Sequence, residues 1–144
     1  MSDYLLAGQQ SELDRLRAQA LVWEPAGRDL LAQLGDGAGL RVVDIGCGAL
    51  GWLRILSDWV GPSGQVIGTD IDDTLLDAAR AFVEEEGRSN VTLLRDDLFA
   101  SALEPGFDLV HAPAAGVFRL DGQTTVLVHR KETLHFAAFA RDNF

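Results

Sequence analysis

The chain has 144 residues, 47% of them hydrophobic and 24% charged, with one cysteine and a formal net charge of −10. By length it is one domain. It is too acidic for a nucleic-acid partner or an anionic membrane surface, and a single cysteine cannot form an internal disulfide. No stretch approaches a membrane span and the N-terminus lacks a basic region followed by an apolar core, so a cytoplasmic small-molecule protein is expected.

Residues 1–10 show no periodicity and read as a mobile arm. A helix is expected from Ser11, with Leu13, Leu16, Ala20 and Trp23 at helical spacing on one face. Pro25 suits the first turn of a second helix, which carries Leu30, Leu31 and Leu34 and ends at Gly35. This N-terminal pair, residues 1–40, is either scaffold or a lid in which Tyr4 or Trp23 closes over a ligand.

Residues 41–112 form the core. Arg41 to Ile45 reads as a short strand covered on both faces, because Val42, Val43 and Ile45 leave no polar alternation. It runs into Gly46-Cys47-Gly48, where positive φ is available and bare backbone can approach a ligand. The helix after Gly51, with Leu53, Ile55, Leu56 and Val60, turns its N–H groups toward that loop, which suits an anion. Gln65 to Asp70 is the second strand, and a helix from Asp73 or Thr74 carries Leu75, Leu76, Ala79, Phe82 and Val83 inward. Asn90 to Arg95 and Phe107 to His111 are the third and fourth strands. Strands alternating with helices of this length predict βαβ units, hence an α/β fold with a Rossmann-like parallel sheet.

Acidic residues stand where such a sheet places its ligands, at carboxyl ends of strands. Asp44 precedes the glycines. Asp70 ends the second strand, placed for both hydroxyls of a ribose. Asp97 and Leu98 follow the third, placed for an adenine. Gly46, Gly48 and Gly51 also satisfy the G-x-G-x-x-G pattern of a dinucleotide site. Asp44 argues against that reading, since a carboxylate there repels a pyrophosphate and attracts a cationic amino group. Cys47 has no adjacent basic residue to activate it and reads as a small turn residue. His111, His129 and His135 lack metal-ligand spacing, and no metal site is expected.

Val43-Asp44-Ile45-Gly46-Cys47-Gly48, Gly68-Thr69-Asp70 and Val91 to Asp97 resemble the three cofactor motifs of class I S-adenosylmethionine-dependent methyltransferases. The resemblance covers roughly residues 4–112 and is close to the ubiquinone/menaquinone-biosynthesis-like small-molecule members. It implies S-adenosylmethionine as cofactor, with Asp44, Gly46, Cys47 and Gly48 beside its methionine part, Asp70 and Ile71 at the ribose, and Asp97 and Leu98 at the adenine. Ala49-Leu50 departs from the commoner small or glycine pair. Methyl transfer asks mainly for alignment of nucleophile, methyl and sulfur. A general base is optional, and His111, at the mouth of the fourth strand, is either that base or a strand-end polar residue.

After Ala112 the resemblance is expected to stop, leaving the family's C-terminal half incomplete in a divergent tail, residues 113–144. Gly116 to Leu120 and Thr124 to His129 predict an antiparallel hairpin across Asp121-Gly122. An apolar end follows, from Leu134 through Phe136 and Phe139 to Phe144. The sheet should then end in an open edge, and a homodimer through residues 113–144 is expected to cover it. The expected function is small-molecule methyl transfer; the alternative is a non-catalytic cofactor-binding or interaction subunit. The single domain is thus 1–144.

Overall fold

The computed structural model describes residues 2–97, 100–104 and 106–112, with side chains from Gly8 onward, and the backbone of residues 119–120, 124–130 and 133–134. The elements are α1 (Ser2–Leu34), β1 (Arg41–Ile45), α2 (Leu53–Val60), β2 (Gln65–Asp70), α3 (Asp73–Glu85), β3 (Val91–Arg95), β4 (Leu109–Ala112), β5 (Arg119–Leu120), β6 (Thr124–Arg130) and β7 (Thr133–Leu134). The sheet runs in the order β3-β2-β1-β4-β6-β5, with β7 also on β6. Its strands are parallel from β3 through β6. No helix among the described residues is long and apolar enough to cross a membrane.

Alternation along β1 and β4 divides the core. Val42 and Leu109 meet Leu31, Leu53, Leu56 and Leu76 on the side of α1, α2 and α3. Val43, Ile45, Val110 and Ala112 pack with Ile67 and Phe107 on the other side. Asp44 and His111 stand opposite each other in the parallel register. One residue on from Val43 and Val110, they belong to the helix-covered face.

Two expectations are corrected. Residues 2–10 are helical, and α1 continues through Pro25, where a break between two helices was expected. A proline inside a helix costs about 3 kcal/mol, and tertiary contacts offset it. Gly27 lets α1 seat so closely that an added Cβ would lie 2.6 Å from Ile55 Cδ1 and 3.2 Å from Trp52 Cζ2. Arg17 Nη2 donates to the Ala78 carbonyl of α3 at 3.0 Å. On the outside, six side chains close a ring of alternating charge: Glu24 and Arg28 of α1, Arg54 and Asp58 of α2, and Glu86 and Arg88 beyond α3.

The second correction is at the sheet edge. The hairpin strands do pair antiparallel, Arg119 with Thr125 and Leu120 with Thr124. But β6 also adds in parallel to β4, Val110 opposite Val126 and Ala112 opposite Val128, so the sheet does not stop at its fourth strand. Local patterning showed the hairpin and not its partner strand. Of the apolar end, only Thr133–Leu134 is described, as β7; Leu134 pairs with His129 there.

Candidate functional site

The glycine turn leaves β1 with positive φ at three glycines: Gly46 (69°), Gly48 (59°) and Gly51 (50°). The Cys47 N–H donates to the Thr69 carbonyl at 2.8 Å, tying the turn to β2. The Gly48 N–H donates to Asp70 Oδ2 at 3.0 Å, and Asp70 Oδ1 accepts from the Asp72 N–H at 3.0 Å. Among the described residues a Cβ on Gly48 would meet nothing within 4 Å, whereas one on Gly51 would lie 2.4 Å from the Cys47 carbonyl oxygen and 2.9 Å from Asp44 Oδ2. The turn is therefore packed at its far end and open at Gly48.

Gly48 opens into a cavity of about 300 Å³ whose surface is mainly apolar. Leu16, Ala20 and Trp23 of α1 roof it, Leu75 of α3 closes one flank, and Trp52, Asp44 and His111 form its inner end. Three of the four residues expected on one face of the N-terminal helix thus face the site. Leu16 and Leu75 are shared with a second cavity, about 390 Å³, bounded by Gln9 and Leu13 of α1 and by Asp72 and Thr74.

At the inner end Asp44 and His111 are 0% and 2% exposed. Asp44 Oδ1 lies 2.7 Å from His111 Nδ1, and Asp44 Oδ2 accepts from the Trp52 N–H at 3.1 Å. The indole of Trp52 stacks on the imidazole, centroids 4.0 Å apart and planes 14° apart. Sequence reasoning did not single out Trp52, nor did it pair Asp44 with His111. The available signal was adjacency of the first and fourth strands, which sets the two residues side by side.

The expected site residues separate into two groups. Asp44, Cys47, Gly48 and His111 meet at the cavity. Asp70 touches the turn through the Gly48 N–H but is not among the cavity's lining residues. Ile71, just beyond β2, is 57% exposed, and Asp97 is exposed past β3, both outside the cavity lining. Leu98 lies outside the described residues, as does the side chain of Tyr4. Burial, reinforced by the charges of Asp44 and Asp70, pushes the Cys47 thiol far up, so it stays protonated and serves the turn. Among the described residues no cluster of His, Cys, Asp or Glu could hold a metal ion.

Residues 42–134 match the family described as methyltransferase domain. The chain belongs to that family. The match runs past Ala112, where the resemblance was expected to end, and takes in β6 at the place of a fifth parallel strand. This methyltransferase domain is 40% identical over 81 residues to a demethylmenaquinone methyltransferase of Lactococcus lactis, covering 56% of this chain and 32% of that protein. It is 34% identical over 116 residues to an aklanonic acid methyltransferase of Streptomyces sp., covering 77% and 50%. The chain thus spans about a third to a half of the length of these relatives. Among solved structures, a SAM-dependent methyltransferase from Aquifex aeolicus superposes with TM-score 0.55 at 28% identity, covering 58% of this chain and 45% of that one. The fold is that of the class I S-adenosylmethionine-dependent methyltransferases, whose cofactor is S-adenosylmethionine. The residues present fit it: the turn is open at Gly48, a carboxylate at the end of β2 accepts from its Gly48 N–H, and a mainly apolar cavity adjoins the turn.

Proposed function

We propose that the protein is an S-adenosylmethionine-dependent methyltransferase acting on a small molecule. The observation that carries this is the glycine turn, open at Gly48 and latched to Asp70, against a cavity roofed by α1. In this reading Gly46, Cys47 and Gly48 lie along the methionine part, Asp70 and Ile71 hold the ribose, and Asp97 with Leu98 reads the adenine. The sulfonium supplies an already activated methyl group when bound. Leu16, Ala20 and Trp23 keep water from the transfer path, and His111 at the inner end accepts a proton from the acceptor. The net charge of −10 favours a neutral or cationic acceptor over a nucleic acid.

Calorimetric titration tests the reading. S-adenosylmethionine and S-adenosylhomocysteine are expected to bind and to raise the melting temperature, since a ligand of the native state alone stabilises it. A folded protein that binds neither, or binds NAD more tightly, refutes it. Homodimer formation through residues 113–144 is part of the same proposal. Among the described residues β5 and β7 pair with the two ends of β6, and the outer edge of Val126–Val128 pairs with no strand. A stable monomer in sedimentation at micromolar concentration refutes that part.

A further inference from the structure

We propose that Asp44 is a positioning residue that acts through His111, forming with Trp52 a carboxylate–imidazole unit that takes the acceptor's proton, and is not the clamp for the cofactor's amino group. The inference rests on the methyltransferase reading and departs from the role that charge and position alone suggest for Asp44.

Three observations converge on it. Both oxygens of Asp44 are engaged, Oδ1 with His111 Nδ1 at 2.7 Å and Oδ2 with the Trp52 N–H at 3.1 Å. The carboxylate is 0% exposed and holds a protein partner on each oxygen, so a ligand ammonium reaching it from the cavity would compete with these partners. The third is the indole of Trp52, stacked on the imidazole at 4.0 Å, so one residue fixes both the carboxylate and the ring.

A carboxylate only accepts hydrogen bonds, so the proton of the neutral imidazole sits on Nδ1 and Nε2 carries the lone pair. His111 Nε2 takes the proton of the acceptor's X–H as the X–C bond forms. The C–S bond breaks with its electron pair on sulfur, and the positive charge of the sulfonium reappears on the imidazolium. That imidazolium lies 2.7 Å from the Asp44 carboxylate and against the face of the Trp52 indole. Among the described residues the other titratable group lining the cavity is Cys47, which burial keeps protonated, and Asp70 stands beyond the Gly48 N–H. Among the described residues no Lys or Arg lines the cavity.

The test needs no knowledge of the acceptor. Nitrogen-15 imidazole spectra report the tautomer, and calorimetry with S-adenosylmethionine and S-adenosylhomocysteine reports the cofactor site. In the wild-type protein the neutral His111 is expected to carry its proton on Nδ1, with or without S-adenosylhomocysteine. In Asp44→Asn the side-chain carbonyl stays with the Trp52 N–H, and its NH₂ now donates to Nδ1, moving the ring proton to Nε2. The affinities of both ligands are expected to stay within about threefold. A tenfold or greater loss of affinity in that variant, or an unchanged tautomer, overturns the proposal. Should Asp44→Asn fail to fold, the wild-type spectra decide: loss of the Nδ1-protonated signal on adding S-adenosylhomocysteine means that Asp44 leaves His111 for the ligand, and its persistence supports the unit. Failure of the methyltransferase reading shows separately, as absence of binding by the wild-type protein.

Discussion

Comparing alanine at Gly51 with alanine at Gly48 separates backbone strain from steric conflict within one turn. Both glycines have positive φ, 50° and 59°. A left-handed non-glycine residue costs about 1–2 kcal/mol at either position. The alanine side chain also narrows the unfolded ensemble, worth about 0.4–1 kcal/mol in the opposite direction, and this is common to both variants. What differs is space. Among the described residues the Gly48 Cβ would meet nothing within 4 Å, whereas the Gly51 Cβ would lie 2.4 Å from the Cys47 carbonyl oxygen and 2.9 Å from Asp44 Oδ2. The first contact is backbone, so the turn itself must move, and overpacking of that kind costs about 1–3 kcal/mol. Gly51→Ala is therefore expected to be less stable than Gly48→Ala by about 1–3 kcal/mol, a sizeable share of the roughly 5–15 kcal/mol of a typical domain. Urea unfolding followed by circular dichroism reads this directly, with midpoints on the order of 1 M apart at equal slope. Variants equal within about 0.5 kcal/mol would show that the turn relaxes freely around residue 51.

Asp70→Ala is expected to weaken S-adenosylhomocysteine binding by about 1.5–3 kcal/mol, the scale of a lost charged hydrogen bond, measured by calorimetry. Arg54→Ala, which removes one of the two arginine partners of each of Glu24 and Glu86, should lower stability by about 1–3 kcal/mol in urea unfolding, less in high salt. Arg54→Lys should recover only part of that loss, since a lysine cannot bridge two carboxylates as a planar fork. Burial raises the Asp58 carboxyl, but hydrogen bonds from Arg88 and Arg28 outweigh it and hold it below the usual aspartate range. The unfolded state then binds the proton more readily, so this stabilisation is present above the ordinary aspartate pKa, about 3.9, and is lost as pH falls through the folded value. Asp58→Asn should flatten the acid limb of stability against pH.

The cofactor-side half of the fold was legible because its signals are local. A run of Val42, Val43 and Ile45 before glycines marks a buried strand and turn, and Leu76, Ala79 and Phe82 mark the inner face of α3, all buried as expected. Asp72, which caps α3 through the N–H groups of Thr74 and Leu75, lies one residue before the expected start. What could not be read is what depends on distant partners. Pro25 signals a helix start, but α1 continues through it, packed at Gly27 against Trp52 and Ile55 and paired through Glu24 with Arg54. Nothing near Thr124 says that β6 will lie beside β4. Asp44 announced a negative charge beside a glycine turn; that the charge is spoken for by a histidine 67 residues away follows only from strand order.

Trp52 has one further consequence. Its indole lies between the imidazole of His111 and the backbone of α1 at Gly27. The segment by which the family is recognised begins at Val42, yet a ring at its inner end leans on a residue fifteen positions upstream of that start. Substitutions in α1 can thus shift the ring stacked on His111 without altering any motif. Under the proposed function, acceptor preference can diverge through a helix that lies outside every motif.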